Sequence, residues 1–197
     1  MNICVYGASS NKIDEVYISE TEELGRKMAK RGHTLVFGGG KGGMMGASAR
    51  GMYECGGHII GITPSFFHVD GVLFEHCNEV ILTETMRERK KLLEEKSDAY
   101  IVSPGGIGTF DEFFEMFTLK QLARHKKAIA IFNIAGYYDD MIKMLEKTAA
   151  QGFMSEASLN LFKVFDDADR MLDWIEKYEG ELVDIAQVKY INLEDNE

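Results

Sequence analysis

The sequence predicts an α/β fold in which a doubly wound parallel sheet forms the middle layer of a three-layer sandwich in a single domain. Short β-rich runs alternate with helical patterns along most of the 197 residues, as expected of a parallel sheet with crossover helices. Runs such as Ala128 to Phe132 are apolar at every position, which is typical of strands covered by helices on both faces. The length fits one globular domain of roughly 100 to 200 residues.

Seven strands and six helices follow from this alternation. The predicted strands are Ile3 to Tyr6, Thr34 to Phe37, His58 to Ile62, Val80 to Leu82, Ala99 to Ser103, Ala128 to Phe132 and Phe162 to Val164. The predicted helices are Asp14 to Arg31, Met44 to Glu54, Met86 to Ser97, Phe110 to Arg124, Tyr138 to Ala150 and Asp166 to Tyr178. No internal repeat and no low-complexity linker interrupts the pattern.

Glycine-rich, polar segments follow three of the predicted strands. They are Gly7 to Asn11, Gly38 to Gly43 and Pro104 to Thr109. In a doubly wound sheet, ligands bind outside the carboxyl ends of the strands, where the strand order reverses. We therefore expect the functional site to be built from these three segments.

The charge and the termini exclude several classes of protein. Lys and Arg together number 22 and Asp and Glu number 32, which gives a formal net charge of −10. A nucleic-acid partner is not expected, because a general nucleic-acid binder needs a basic face. The N-terminal segment has no basic stretch followed by a long apolar one, and no apolar run approaches the ~20 residues of a membrane span. We expect a soluble, cytoplasmic protein without membrane contact.

The three cysteines, Cys4, Cys55 and Cys77, lie far apart and show no C-x-x-C spacing. This arrangement indicates neither a disulfide framework nor a zinc site. We expect three reduced thiols in the core and no metal ligands.

The second glycine segment matches a dinucleotide-binding pattern only in part. Gly38, Gly40 and Gly43 satisfy G-x-G-x-x-G between a strand and a helix. An acidic residue about 20 positions later should hold the ribose, but the next strand runs into Thr63 and uncharged residues. NAD binding is therefore disfavoured, and no P-loop motif is present. The alternative is that these glycines only permit a tight turn.

The third glycine segment predicts an anion site. It opens the helix that contains Phe110, and free N–H groups at a helix start bind phosphate groups favourably. The alternative is that Thr109 and Glu112, three residues apart, form a capping box that only satisfies the helix end. In the same helix, aromatic residues spaced three and four positions apart, Phe110 to Phe117, indicate a core face.

Four cations in the five residues Arg87 to Lys91 offer a local positive field in an acidic protein. Arg89 lies three residues after Met86 and four before Leu93, on the apolar face of its helix, so it needs a partner. The alternative is a solvated basic face.

Several of these segments together resemble the Lonely Guy (LOG) family of cytokinin riboside 5′-monophosphate phosphoribohydrolases, whose bacterial members have often been labelled possible lysine decarboxylases. The matching motifs are Gly38-Gly39-Gly40, Gly43-Met44-Met45-Gly46, Met86-x-x-Arg89-Lys90, Pro104-Gly105-Gly106-Ile107-Gly108-Thr109-Phe110-Asp111-Glu112 and Gly136-Tyr137-Tyr138-Asp139. The resemblance spans about residues 3–178. It implies a Rossmann-like domain over 1–179, followed by a C-terminal extension over 180–197.

The resemblance implies hydrolysis of the N-glycosidic bond of a purine nucleoside 5′-monophosphate such as AMP, without a metal or an organic cofactor. Arg89 and Glu112 match the catalytic pair of the family. The predicted substrate-binding residues are Lys90, Gly105, Gly106, Gly108, Thr109, Gly39, Gly40, Ser9 and Met86. The family also implies a homodimer, for which the helix Phe110 to Phe117 and the pair Tyr137-Tyr138 are candidate contacts, although a core role is equally compatible with them.

Three departures leave the base preference open between adenine, an N6-modified adenine and another base. Arg87 stands where the family often has His, Ile107 where an aromatic residue is common, and Ala8 replaces the glycine of a Gly-Ser-Ser segment. Decarboxylation is disfavoured because it needs an electron sink such as pyridoxal phosphate. The alternative function is a non-enzymatic nucleotide-binding or carrier protein, since related sheets bind ligands without turning them over.

Overall fold

The computed structural model describes residues 1–67, 71–180, 184 and 188. Within them the strands are β1 (Asn2–Tyr6), β2 (Thr34–Phe37), β3 (His58–Pro64), β4 (Glu79–Thr83), β5 (Ala99–Val102), β6 (Ala128–Phe132) and β7 (Lys163–Phe165). The helices are α1 (Glu15–Lys30), α2 (Gly43–Glu54), α3 (Met86–Glu95), α4 (Ile107–Gln121), α5 (Asp139–Ala150) and α6 (Ala168–Lys177). Three short 3-10 turns, Ser65–Phe67, Ile134–Gly136 and Glu156–Leu161, join some of these elements.

The seven strands form one sheet in the order β4-β3-β2-β1-β5-β6-β7, and all of its pairings are parallel. The order reverses between β1 and β5, where Cys4 pairs with Val36 on one side and with Tyr100 on the other. The carboxyl ends of these two central strands therefore form the crevice in which such sheets bind ligands.

Helices cover both faces of the sheet, each over its own apolar cluster. One cluster packs the sheet against α1, α2 and α6 through residues such as Leu24, Met52 and Met171. The other packs it against α3, α4 and α5 through residues such as Leu93, Phe113 and Leu145. The predicted doubly wound, three-layer fold is confirmed.

Every predicted strand and helix is present; β2 and β6 have the predicted bounds, and the other elements differ at one or both ends. The largest shift is at α4, which begins at Ile107 rather than Phe110 because Gly106 is its N-cap. The predicted aromatic core face of α4 is confirmed, since Phe113 and Phe117 are buried. Tyr138 is also buried, so this candidate dimer contact belongs to the core of the protomer.

The expectation for the cysteines is correct only in part. All three thiols are free and Cys4 is buried, but Cys55 is exposed and Cys77 is half-buried. In the described part of the chain, no helix combines the length and the apolar character that a membrane crossing requires. Most of the predicted C-terminal extension, 180–197, lies outside the described residues.

Candidate active site

A cavity of about 720 Å³ lies at the carboxyl ends of the central strands. Its walls come from the three glycine-rich segments that follow β1, β2 and β5, from Thr63 in β3, from Phe67 and residues 71–73, and from side chains of α3 and α4. The segments hold one another in place: the N–H of Ala8 donates to Pro104 O at 3.1 Å, and Ala8 O accepts from the N–H of Met44 at 2.8 Å. The predicted position of the site is thus where the structure has its large cavity.

An arginine and a glutamate meet at the floor of this cavity. Arg89 Nη1 lies 3.3 Å from Glu112 Oε1, and Arg89 Nε donates to Ile62 O at 3.2 Å. Their side chains are 12% and 11% exposed, respectively. The predicted need of Arg89 for a partner is met by a carboxylate from the other half of the sheet.

Local sequence places Arg89 there. The helix α3 begins with a capping box in which Thr85 Oγ1 accepts from the N–H of Glu88 and the Glu88 carboxylate accepts from the N–H of Thr85. This cap fixes the first turn. Gly38 leaves room for the guanidinium, because a Cβ at that position would collide with Arg89 Nη2.

Burial dominates the electrostatics of the pair. Desolvation raises the pKa of Glu112 from 4.5 to about 7, although Arg89 acts in the opposite direction. The carboxyl group therefore exchanges its proton near neutral pH, although a guanidinium lies beside it. A group with such a pKa is suited to proton transfer.

The start of α4 presents free backbone N–H groups to the cavity. Gly106 is the N-cap, and the helical ladder begins with the bond from the N–H of Phe110 to Gly106 O at 3.0 Å. The N–H groups of residues 107–109 precede this bond and have no helical acceptor. The capping-box alternative is wrong, because Thr109 lies inside the helix and the Glu112 carboxylate faces Arg89.

Two tyrosines of the Gly136–Asp139 motif hold the segment before α4. The hydroxyl of Tyr137 donates to Gly105 O at 2.6 Å, and that of Tyr138 donates to Ser103 O at 2.7 Å. These bonds fix the carbonyl groups of Gly105 and Ser103. The two tyrosines therefore hold in place the backbone that leads into the predicted anion site.

The structure brings most, but not all, of the predicted site residues to the cavity. Those that line it are Arg89, Glu112, Ser9, Gly40, Gly106, Gly108 and Thr109. Gly105, Gly39, Met86 and Lys90 are not among the lining residues. Gly39 and Gly105 belong to segments that line the cavity but do not line it themselves, and Met86 is 40% exposed at the start of α3.

Lys90 lies beside the cavity in an acidic environment. Its Nζ is 2.8 Å from Glu115 Oε2 and 3.1 Å from Asp111 Oδ2. The contact with Glu115 raises the pKa of Lys90, burial acts in the opposite direction, and the hydrogen bond to Asp111 adds a smaller increase. The ammonium is thus paired in this structure, and its contact with a substrate phosphate stays a prediction.

Some lining residues were not singled out from the sequence: Asn11 and Lys41 lie in segments that were expected to build the site but were assigned no role, whereas Thr63 and Phe67 lie outside those segments. Asn11 Oδ1 accepts from the N–H of Gly43 at 2.8 Å and so ties the first glycine segment to α2. The only available signal was for Lys41, which is a cation within a glycine run. Among the described residues, no group of three or more His, Cys, Asp or Glu side chains is placed to hold a metal ion.

The sequence is similar to those of known proteins. The family model described as possible lysine decarboxylase matches residues 45–175. The chain is 32% identical over 176 residues to cytokinin riboside 5′-monophosphate phosphoribohydrolase LOG2 of Arabidopsis thaliana, covering 89% of this chain and 83% of that protein. It is 35% identical to the probable cytokinin riboside 5′-monophosphate phosphoribohydrolase LOGL9 of Oryza sativa subsp. japonica, covering 89% of this chain and 78% of that protein.

A solved structure supports the fold. The molybdenum cofactor carrier protein of Chlamydomonas reinhardtii superposes with a TM-score of 0.70 at 21% sequence identity, covering 90% of this chain and 96% of that chain. At this level of identity the likeness concerns the architecture alone.

Proposed function

The chain belongs to the possible lysine decarboxylase, or Lonely Guy, family, and from this premise we propose that it hydrolyses the N-glycosidic bond of a purine nucleoside 5′-monophosphate. The products are the free base and ribose 5-phosphate. The observation that carries the proposal is the buried Arg89–Glu112 pair on the floor of a cavity that also receives the free N–H groups of α4.

Two parts of the site bind different parts of the nucleotide. The N-terminus of α4, with Gly106, Gly108 and Thr109, suits the dianionic phosphate, because free N–H groups and the helix dipole favour negative charge there. This places the ribose next to Glu112, which is on the same helix one turn further along. The anomeric carbon then lies within reach of the carboxyl group.

Hydrolysis passes through an oxocarbenium-like transition state. In its ionised form Glu112 stabilises the positive charge on the sugar and accepts a proton from the attacking water. The water oxygen forms the new bond to the anomeric carbon, while the base leaves with the electrons of the glycosidic bond and takes up a proton. Arg89 orients the Glu112 carboxylate and faces the ribose phosphate.

The alternative function that this fold allows is a non-enzymatic nucleotide carrier. A carrier gains nothing from a carboxyl group that is buried beside the ribose and one helical turn from the bound phosphate, because this group repels the phosphate when it is ionised. The catalytic pair therefore supports hydrolysis over carriage.

Incubation of the purified protein with AMP, followed by chromatographic assay of adenine and ribose 5-phosphate, tests the proposal. Glu112→Gln is expected to remain folded and to bind AMP, with turnover at least roughly a hundredfold lower. The exposed Glu146 of α5 provides the matched control, and Glu146→Gln is expected to keep wild-type turnover. Unchanged turnover in Glu112→Gln, or AMP binding without release of adenine by the wild type, would contradict the proposal.

The proposal includes a cytoplasmic homodimer with the cavity near the subunit boundary. Ile107 is 84% exposed and Phe67 48% exposed, and both line the cavity. A second copy of the chain would cover these apolar side chains. Light scattering coupled to size exclusion should give twice the chain mass, and a monomer would remove the dimer from the proposal.

A further inference from the structure

We infer that Lys90 is a positioning residue for Glu112: it neutralises two neighbouring carboxylates of α4 and so keeps Glu112 able to act as a base near neutral pH, without contacting the substrate itself. This role rests on the proposed function and refines it. The resemblance to the family predicts a contact between Lys90 and the substrate, whereas the contacts of the ammonium group in the structure favour a role that acts through Glu112.

The Lys90 ammonium is held beside the cavity rather than in it. Lys90 is not among the lining residues, and its side chain is 19% exposed. Its Nζ lies 2.8 Å from Glu115 Oε2 and 3.1 Å from Asp111 Oδ2. The Glu115 oxygen is buried, so withdrawal of the ammonium toward a bound phosphate would leave a buried negative charge behind. The position of Lys90 is therefore set by the protein and not by a ligand.

Two adjacent cations of α3 face three acids of α4. Asp111, Glu112 and Glu115 lie within five residues of each other along the chain. Arg89 contacts Glu112, and Lys90 contacts the other two acids. Because Lys90 neutralises Asp111 and Glu115, the guanidinium of Arg89 stays with the carboxyl group that performs the proposed reaction.

The charges around Glu112 determine how readily it ionises. Burial raises the pKa of Glu112, and Arg89 lowers it. Among the smaller effects, Asp111 and Glu115 raise this pKa and Lys90 lowers it. These directions are those expected of like and opposite charges near a buried carboxyl group. Without the charge of Lys90, Glu112 would therefore keep its proton to a higher pH, and less of the enzyme would carry the ionised base.

Two groups of β1 also act on Glu112 through their charge, the thiol of Cys4 and the hydroxyl of Tyr6. Burial raises the pKa of Cys4 to about 12 and that of Tyr6 well above its usual value. Both groups are consequently uncharged near neutral pH. The ionisation of Glu112 in this range is therefore governed by its burial and by the charges of α3 and α4.

The test measures kcat at saturating AMP as a function of pH in the wild type, in Lys90→Met, in Glu115→Gln and in the double variant. In the wild type, kcat should rise with pH as Glu112 ionises. Lys90→Met should move the midpoint of this rise upward by about half a pH unit, which lowers kcat about threefold below the midpoint, with KM for AMP nearly unchanged. Glu115→Gln should move the midpoint downward. The double variant should return it close to the wild-type value, because one charge of each sign is then missing.

Two further variants serve as controls. Lys90→Arg keeps the positive charge and should keep the wild-type midpoint. The exposed Lys147 of α5 is remote in sequence from both helices, and Lys147→Met should change neither the midpoint nor KM.

A role of Lys90 in phosphate binding predicts a different pattern. Lys90→Met would then raise KM for AMP at least roughly tenfold, the size of one charge-assisted hydrogen bond, and would leave the midpoint of kcat unchanged. That result would overturn the inferred role while the hydrolase stands. A midpoint that is the same in all four proteins would overturn it as well.

If the wild type does not hydrolyse AMP, the proposed function fails, and the pKa of Glu112 is then measured directly by carbon-13 NMR titration of its carboxyl group in the same four proteins. Shifts of opposite sign in Lys90→Met and Glu115→Gln, with the wild-type value in the double variant, would support the role of Lys90. Equal values in all four proteins would overturn it.

Discussion

Glu112 should make the unfolding free energy of the protein depend on pH. The folded state raises the pKa of this carboxyl group from 4.5 to about 7 by burial. Between these two values the folded chain keeps a proton that the unfolded chain has lost. The contribution of Glu112 to stability is therefore greatest below pH 4.5 and is lost as the pH rises through 7.

The size of the effect follows from the same two values. A pKa difference of this size corresponds to about 3 kcal/mol of unfolding free energy. The glutamine in Glu112→Gln does not titrate, and all other groups are common to the two proteins. The unfolding free energy of the wild type minus that of Glu112→Gln should therefore fall by about 3 kcal/mol from pH 4.5 to pH 8.

Urea unfolding of both proteins, followed by circular dichroism at four pH values between 4.5 and 8, measures this difference. Only the trend matters, because the loss of the partner of Arg89 adds an offset that does not depend on pH in this range. A difference that stays constant, or that grows with pH, would mean that the guanidinium outweighs burial and that the carboxylate is ionised throughout.

Three further predictions concern the support of the site and the core. Gly38→Ala should lower kcat roughly tenfold to a hundredfold by displacing the Arg89 guanidinium, with a thermal melt close to that of the wild type because a flexible side chain can yield. Tyr137→Phe removes the hydroxyl bound to Gly105 O and should raise KM for AMP roughly fivefold at constant kcat, as measured by steady-state kinetics. Lys120 is 1% exposed, and burial lowers its pKa to about 8. Folding therefore disfavours the charged form of this side chain. The unfolding free energy of the wild type relative to Lys120→Met should rise by about 3 kcal/mol between pH 7.5 and 11, because the lysine loses its charge over this range.

Sequence patterns predicted the fold because the strands are short, mainly apolar runs and the segments between them show the residue spacing typical of helices. The same logic located Arg89: a cation on an apolar helix face requires a buried partner, and Glu112 is that partner. The resemblance to the Lonely Guy family indicated that Arg89 and Glu112 match the catalytic pair of that family.

Other features depended on tertiary geometry. Whether Thr109 caps α4 or lies within it depends on where the chain leaves β5, and Gly106 takes the capping position. A T-x-x-E pattern also occurs at Thr85, where the capping box does form, so the pattern alone could not distinguish the two sites. Lys41 lies in a segment that was expected to build the site, but its exact place on the cavity wall could not be predicted, because it depends on a bridge to residues 72–74, which are far away along the chain.

The Arg89–Glu112 pair joins the two halves of the chain. Arg89 comes from the segment that contributes β1 to β4, and Glu112 from the segment that contributes β5 to β7. Neither half contains both members of the pair, so on the proposed function a polypeptide that ends at residue 97 would show no turnover even if it folded. During refolding, recovery of turnover would consequently report the docking of the C-terminal half onto the N-terminal half, an event that far-ultraviolet signals from local helices do not record.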